Sequence, residues 1–233
     1  MIRNDIVGLV LSYVYAFGLL LAVEGIGKKF KWSQDVTRKI IHIGAGMWVW
    51  GILYFFENWY YGIIPFATFI VLNYVFYRQQ SFKQMDTAQS TPGTVYFAFS
   101  ITVLMVGLWR TNSAHDQAPI AVAAIMAMTW GDAFASLIGN RWGRSFYRAF
   151  GHRRSWQGSA AMAGFSFAAI AITLTVLPGS CLSSSGQSFS IQSILQLSLV
   201  ATAVATLAEA LSPKGTDNLS VPLLTGLALW LLS

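Results

Sequence analysis

Charged side chains are scarce in this sequence, since Asp, Glu, Lys and Arg together make up only 10% of its 233 residues. Soluble domains carry about 25% of such residues, so an ordinary water-soluble fold is excluded. Cysteine is nearly absent, and the single Cys181 excludes an intramolecular disulfide bond. No GxxxxGK(S/T) string occurs, which excludes a nucleotide site of the P-loop type.

The sequence contains long apolar runs, and hydrophobic residues make up 55% of the chain. Seven runs are predicted to span a bilayer as helices: 6–26, 40–56, 60–77, 95–109, 118–139, 159–178 and 191–211. The last run, 221–232, is shorter than the ~17 residues usually needed. It is predicted to be a tilted or incomplete eighth span, or a half-buried helix.

The expected fold class is therefore all-α. Residues 1–233 are predicted to form a single integral-membrane domain, a polytopic transmembrane helical bundle with about seven spans and a short C-terminal hydrophobic helix. The first run is too long for a signal peptide, and further spans follow it. No transit peptide rich in Arg and Ser is present, which favours a bacterial or cyanobacterial inner or thylakoid membrane.

The net charge of +6 resembles that of a nucleic-acid-binding protein, but its distribution indicates a membrane protein. All Lys and Arg residues except Arg3 and Arg110 fall on one side of the predicted bundle. The positive-inside rule makes that side cytosolic, where nucleotides are found. We expect the lipid bilayer as a partner and no nucleic acid.

Asp132 is the most informative residue, because it lies inside the apolar run 121–140. An ionisable group within such a span costs roughly 2.5–3.5 kcal/mol on insertion scales, so its retention indicates a site. The alternative is a structural pair with a buried Arg or Lys. Five arginines follow it closely: Arg141, Arg144, Arg148, Arg153 and Arg154. A carboxylate beside a basic loop indicates Mg²⁺ and phosphate chemistry.

Two helical motifs present polar groups on one face. Arg38, His42 and Gly46 are four residues apart, and Ser136 lies one turn after Asp132. Such faces can place a cation and an imidazole at the mouth of a bundle. The alternatives are that Arg38 and Lys39 anchor to headgroups, that His42 is an interhelical hydrogen-bonding group, and that the small residues serve helix packing.

Two further motifs precede predicted helices. Residues 151–159 bring arginines together with Ser155, Gly158 and Ser159, and the backbone N–H groups of a helix start would complete a phosphate cradle. The alternative is binding of anionic lipid. Glu209, Asp217 and Asn218 supply the oxygen ligands that Mg²⁺ prefers, although the segment before Asp217 is also typical of a helix N-cap.

Together these motifs resemble the polyprenol kinase family, which includes phytol, farnesol and dolichol kinases. The resemblance rests on RKIIHIGAG, GDAFASLIGNRWG, RRSWQGSAA and DNLSVPLL, in family order between Val36 and Leu224. It implies phosphorylation of an isoprenoid alcohol, phytol above all, with CTP or another nucleoside triphosphate as donor. Two positions depart from the family pattern: Gln157 and Thr216 stand where carboxylates are usual, which puts metal affinity or donor choice in doubt.

The expected roles fall into three groups. Asp132, Glu209 and Asp217 are predicted to be catalytic and to hold Mg²⁺. His42 and Ser136 are predicted to orient the substrate. Binding of the nucleotide and its phosphates is predicted for Arg38, Lys39, Arg141, Arg153, Arg154, Ser155, Gly158, Ser159 and Asn218.

The sequence is also compatible with other functions. A CTP-dependent cytidylyltransferase or diacylglycerol kinase would use the same type of site. A transporter would also bury a carboxylate, but it is expected to show two inverted halves, and the sequence contains no such repeat. A catalytically degenerate membrane protein would accommodate Gln157 and Thr216.

Overall fold

The computed structural model of the chain describes residues 3–79, 92–150, 152–186, 188–213 and 215–233. Lys83, Gly151 and Lys214, which belong to the predicted basic segments, lie outside the described residues. Within the described ranges the chain forms eight helices: α1 (Arg3–Phe30), α2 (Gln34–Phe55), α3 (Trp59–Gln79), α4 (Gly93–Leu108), α5 (Ala118–Trp142), α6 (Trp156–Val176), α7 (Ile191–Leu211) and α8 (Asp217–Leu232).

The predicted all-α bundle is confirmed, and five helices are long and apolar enough to cross a membrane, namely α1, α3, α5, α6 and α7. Their outward side chains, such as Val14, Leu21 and Leu199, are exposed and apolar, as expected of a surface that faces lipid. Helices α4 and α8 are apolar but only 16 residues long. The number of spans therefore stays a prediction.

The C-terminal run forms a regular helix of the bundle. Helix α8 begins at Asp217, four residues before the predicted apolar run, and packs against α4, α5 and α7. Its buried side chains include Val221 and Leu229. Gly226 lets it approach α4, because a Cβ at that position would collide with Leu104.

Helix α5 lies at the centre of the bundle, with contacts to α2, α4, α6, α7 and α8. It is buried over most of its length. Glycines bring its neighbours close: a Cβ on Gly46 of α2 would collide with Thr129 of α5, and Gly139 lies against Gly158 at the start of α6. This central position places Asp132 in the interior, 5% exposed.

A short antiparallel hairpin connects α5 to α6, and the sequence did not predict it. Strands β1 (Phe146–Ala149) and β2 (His152–Ser155) pair in the register Tyr147↔Arg154. Four-residue strands are too short to show a reliable period of two in the sequence. The hairpin ends at Ser155, whose side chain caps α6 by accepting a hydrogen bond from the Gly158 amide.

The helix ends form two faces of the bundle. The motif end holds the start of α2, the hairpin and the α7–α8 turn, and the opposite end holds the α6–α7 loop. Two buried carboxylates organise the opposite end: Asp5 accepts hydrogen bonds from the amides of Glu57 and Asn58, and Asp116 accepts them from Arg110 and Ser183. Because they satisfy loop donors, these carboxylates have a structural role.

The two faces give a test of the predicted topology, since Arg148 of β1 lies at the motif end and the exposed Cys181 at the opposite end. In intact cells, an impermeant maleimide is expected to label Cys181. In the Cys181→Ser background, Arg148→Cys is expected to react only after permeabilisation. Ser184→Cys in the same background is the matched control and should behave like Cys181. Labelling of positions 148 and 184 from the same side would contradict the topology.

Candidate active site

A cavity of about 430 Å³ opens at the motif end and brings the separate sequence motifs together. Its walls include residues of all eight helices and of the hairpin. Of the predicted site residues, the lining contains Arg38, Lys39, His42, Asp132, Ser136, Arg153, Arg154, Ser155, Gly158, Ser159, Glu209, Asp217 and Asn218. These residues form what we call the polar pocket. The remaining one, Arg141, is exposed on the last turn of α5 and does not line the cavity.

Asp132 is paired with a buried lysine across the α2–α5 interface. The Lys39 Nζ donates a hydrogen bond to the Asp132 Oδ2, and the His42 Nε2 lies 3.8 Å from the same oxygen. Asp132 thus forms an ion pair with a buried lysine, which was the structural alternative to a catalytic role for this residue. Lys39, which was predicted to bind phosphate, therefore pairs with the Asp132 carboxylate.

His42 is held by three neighbours. Its ring packs on Phe97 of α4 with centroids 4.2 Å apart, and its Nε2 lies 3.4 Å from the carbonyl oxygen of Met128. The imidazole therefore stands between the Asp132 carboxylate and an aromatic wall.

Arg154 connects β2 to the α7–α8 turn. Its guanidinium pairs with the Glu209 carboxylate and lies 3.6 Å from the Asp217 Oδ2. It also donates hydrogen bonds to the backbone oxygens of Glu209 (3.0 Å) and Ser212 (3.3 Å). Planar guanidinium groups suit such multidentate contacts, so Arg154 orients both acids at the cavity wall.

Three carboxylates line the same cavity, namely those of Asp132, Glu209 and Asp217, and we call them the acid cluster. Lys39 pairs with Asp132, and Arg154 pairs with Glu209 and lies near Asp217. Acids held beside buried cations in one cavity are typical of functional sites.

The start of α6 differs in detail from an open phosphate cradle. The Gly158 amide donates to Ser155 Oγ at 3.1 Å, and the Ser159 hydroxyl lies 2.7 Å from that of Tyr147. These groups have intramolecular partners. Arg153 and Arg38 are the more accessible cations of the wall: Arg153 stacks over Phe146 at 3.7 Å, and Arg38 lies 3.6 Å from Asp35.

The two departures from the family pattern lie outside the cavity lining. The Gln157 side-chain oxygen accepts hydrogen bonds from the amides of Arg144 (3.1 Å) and Ser145 (3.4 Å). Thr216 donates its hydroxyl to the Pro213 carbonyl oxygen. Both side chains are therefore engaged by backbone groups, and neither is part of the polar pocket.

The cavity has an apolar extension whose lining residues were not identified from the sequence. It runs between α1, α2, α3 and α4, and its walls include Tyr15, Leu19, Trp48, Phe66, Phe69, Phe97 and Ile101. We call it the apolar arm. Its lining residues carry no signal in the sequence, because an apolar residue that faces a cavity looks the same as one that faces lipid or core. Asn73, Asn140 and His152 also line the cavity and were not singled out.

The donor set suits Mg²⁺ in chemistry, because carboxylate and amide oxygens are its preferred protein ligands. Among the described residues, no three His, Cys, Asp or Glu side chains are grouped as a metal site. Mg²⁺ is commonly held by one or two carboxylates together with substrate phosphates, and two carboxylates, Glu209 and Asp217, meet at Arg154. Those two residues and Asn218 would hold the ion, whereas Asp132, the third predicted ligand, is paired with Lys39.

Known proteins of similar sequence are isoprenoid alcohol kinases by name. The chain is 32% identical over 226 residues to a phytol kinase of Synechocystis sp., and the match covers 96% of this chain and 90% of that protein. It is 27% identical to a probable chloroplastic phytol kinase of Triticum aestivum, over 93% of this chain and 74% of that protein. It is 26% identical to a chloroplastic farnesol kinase of Arabidopsis thaliana, over 72% of this chain and 57% of that protein. No family model and no solved structure matches the chain.

Proposed function

The chain belongs to the polyprenol kinase family, the family of phytol and farnesol kinases, and we propose that it transfers the terminal phosphoryl group of CTP to phytol. The names of its relatives support the general activity, which is phosphorylation of an isoprenoid alcohol. The choice of phytol, the choice of CTP and the need for Mg²⁺ are part of the proposal.

The single observation that carries the proposal is the continuity of the cavity. One end is the apolar arm, whose aromatic and aliphatic walls match an isoprenoid tail. The other end is the polar pocket, where three carboxylates and several cations meet. A substrate with a long apolar tail and one hydroxyl would fill both parts, with the hydroxyl at their boundary near His42 and Asp132.

Catalysis of phosphoryl transfer consists mostly of positioning and charge stabilisation. The alcohol oxygen forms a bond to the γ-phosphorus while the bond from that phosphorus to the β–γ bridging oxygen breaks, and the nucleoside diphosphate leaves. We assign the hydroxyl proton to the Asp132 carboxylate, with His42 orienting the hydroxyl and Lys39 holding Asp132. Ser136, one turn further along α5, lines the same wall.

The nucleotide would lie against the hairpin and the start of α2. Arg38 and Arg153 are the proposed phosphate contacts, because neither is held by the acid cluster. Arg154 would orient Glu209 and Asp217, and its buried Nε, which has no partner in the described structure, leaves one donor for a phosphate oxygen. Mg²⁺, when bound, would neutralise phosphate charge.

The proposal is tested with purified protein in lipid nanodiscs. CTP and ATP, each labelled at the γ- or the α-phosphate, are offered with phytol, farnesol, geranylgeraniol and diacylglycerol, and with the monophosphates of these lipids. Transfer of the γ-label from CTP to phytol is the expected result. Transfer of the α-label to a phosphorylated lipid acceptor would indicate cytidylyl transfer instead, and no transfer to any isoprenoid alcohol would contradict the proposal.

Gln157→Glu is expected to keep activity within about threefold of the parent. A glutamate oxygen can accept the same two backbone hydrogen bonds from Arg144 and Ser145, and the side chain stays outside the cavity. The measurement is kcat/KM for CTP at several Mg²⁺ concentrations, with Gln157→Ala as the variant that removes the acceptor. A gain in activity of tenfold or more for Gln157→Glu, roughly 1.4 kcal/mol, would show that a site carboxylate is missing in this chain.

A further inference from the structure

The apolar arm ends at four residues, one from each of its helices, which lie at a similar distance from the opposite face of the bundle. We call these four residues the end layer. The deepest lining residues are Ser12 of α1, Trp48 of α2, Pro65 of α3 and Ile101 of α4. Each lies six to nine residues from the end of its helix at the opposite face. With a rise of 1.5 Å per residue, these positions share a level about 9–14 Å from that face.

Packed core fills the space beyond this layer. Ile52, Phe56, Met105 and Trp109 lie between the layer and the opposite face, and each is at most 4% exposed. None of these four residues lines the cavity. The arm is therefore blind at its far end, and a chain that enters from the polar pocket cannot leave through the opposite face.

Trp48 is the largest side chain of the layer and is held in one orientation. Its indole N–H donates to the Ser12 Oγ at 3.1 Å, and Ser12 in turn donates to the Gly8 carbonyl oxygen at 2.7 Å. Its ring stacks on Tyr15 with centroids 4.3 Å apart. The Tyr15 hydroxyl is fixed by donating to the Gly44 carbonyl oxygen at 2.9 Å.

We propose that the cluster of Ser12, Tyr15 and Trp48 is the chain-length stop of the substrate site. This inference rests on the proposed kinase function. With the hydroxyl near His42, the tail extends along α2 until its last isoprene unit meets the Trp48 ring. His42 and Trp48 are six residues apart, which is about 9 Å along the helix. An extended isoprenoid tail is longer than this distance, so the tail must bend within the arm.

Two opposite substitutions test the stop. Trp48→Ala lengthens the arm and is expected to raise the ratio of kcat/KM for a C25 prenyl alcohol to that for farnesol (C15) by about tenfold or more. Ala45→Phe fills the arm one turn nearer the polar pocket. It is expected to lower the same ratio, and the ratio of C20 to C10 alcohols, by about tenfold or more.

Trp50→Ala is the matched control. It removes the same side chain two residues away, from a tryptophan that donates to Met126 Sδ and does not line the cavity. It is expected to leave the chain-length profile unchanged, whatever its effect on stability. The thermal midpoint of each variant in detergent shows whether the protein has folded.

The outcomes separate the two proposals. If the parent phosphorylates none of the prenyl alcohols from C10 to C25, the kinase function itself fails. If the parent is active and folded Trp48→Ala keeps the parental profile, the stop is overturned while the kinase function stands. If Trp48→Ala does not fold, Trp48→Phe and Ala45→Phe decide, and an unchanged profile in both overturns the stop.

Discussion

Asp132→Asn is expected to lower the rate of phosphoryl transfer by roughly 10²–10⁴-fold, the range typical of a lost general base. The substitution keeps the shape of the side chain and removes the carboxylate that lies beside His42 in the polar pocket. The measurement is kcat for transfer of the γ-phosphate of CTP to phytol. The effect is expected in kcat more than in the KM for either substrate, because the proton is transferred only in the reacting complex.

The ion pair with Lys39 complicates this variant, and a second variant resolves it. Removing one partner of a buried pair typically costs about 3–5 kcal/mol, because the other charge is left unpaired. Asp132→Asn is therefore expected to lower the thermal midpoint. The double variant Lys39→Met/Asp132→Asn removes both charges, so it should recover stability and remain inactive.

Activity of the double variant within about threefold of the parent would reduce the Asp132–Lys39 pair to a structural role. Lys39→Met alone completes the double-mutant cycle. It leaves the Asp132 carboxylate buried without its main partner. We expect it to lose both stability and activity.

Arg154→Ala is expected to lower kcat by about a hundredfold or more and to destabilise the fold. The guanidinium contacts Glu209, Asp217 and two backbone carbonyl oxygens, so its loss leaves two acids without their common cation. Truncating one partner of a buried hydrogen-bonded charge pair typically costs 2–5 kcal/mol. Kinetics with CTP and phytol, together with the thermal midpoint, measure both effects.

Two further variants, at Arg154 and at the adjacent Arg153, test whether the effect depends on the contacts of the Arg154 guanidinium. Arg154→Lys keeps the charge but cannot bridge both acids, so an intermediate kcat is expected. Arg153→Ala removes the adjacent arginine, which stacks on Phe146. It should raise the KM for CTP and leave the thermal midpoint and the KM for phytol unchanged. If Arg154→Ala changes only the KM for phytol, the arginine loop binds lipid and the nucleotide site lies elsewhere.

The sequence by itself determined the class of the fold and the positions that matter. Apolar runs of helical length predict membrane helices because the bilayer interior requires every backbone polar group to be satisfied within the segment. Asp132 stood out because a charge in such a run is costly. The residue types themselves pointed to Glu209, Asp217 and the arginine-rich loop, and the family resemblance joined these distant motifs into one site. Of the predicted site residues, all except Arg141 line one cavity.

The tertiary structure alone decided which charges are partners and where the substrate fits. Lys39 and Asp132 are 93 positions apart, and Arg154 and Glu209 are 55 apart, so no local spacing relates them. The Lys39–Asp132 pair lies between α2 and α5, which Gly46 lets approach closely. The apolar arm and its end at Trp48 depend on four helices that leave space between them, and hydrophobicity along a chain does not distinguish a side chain that faces such a space from one that faces core or lipid.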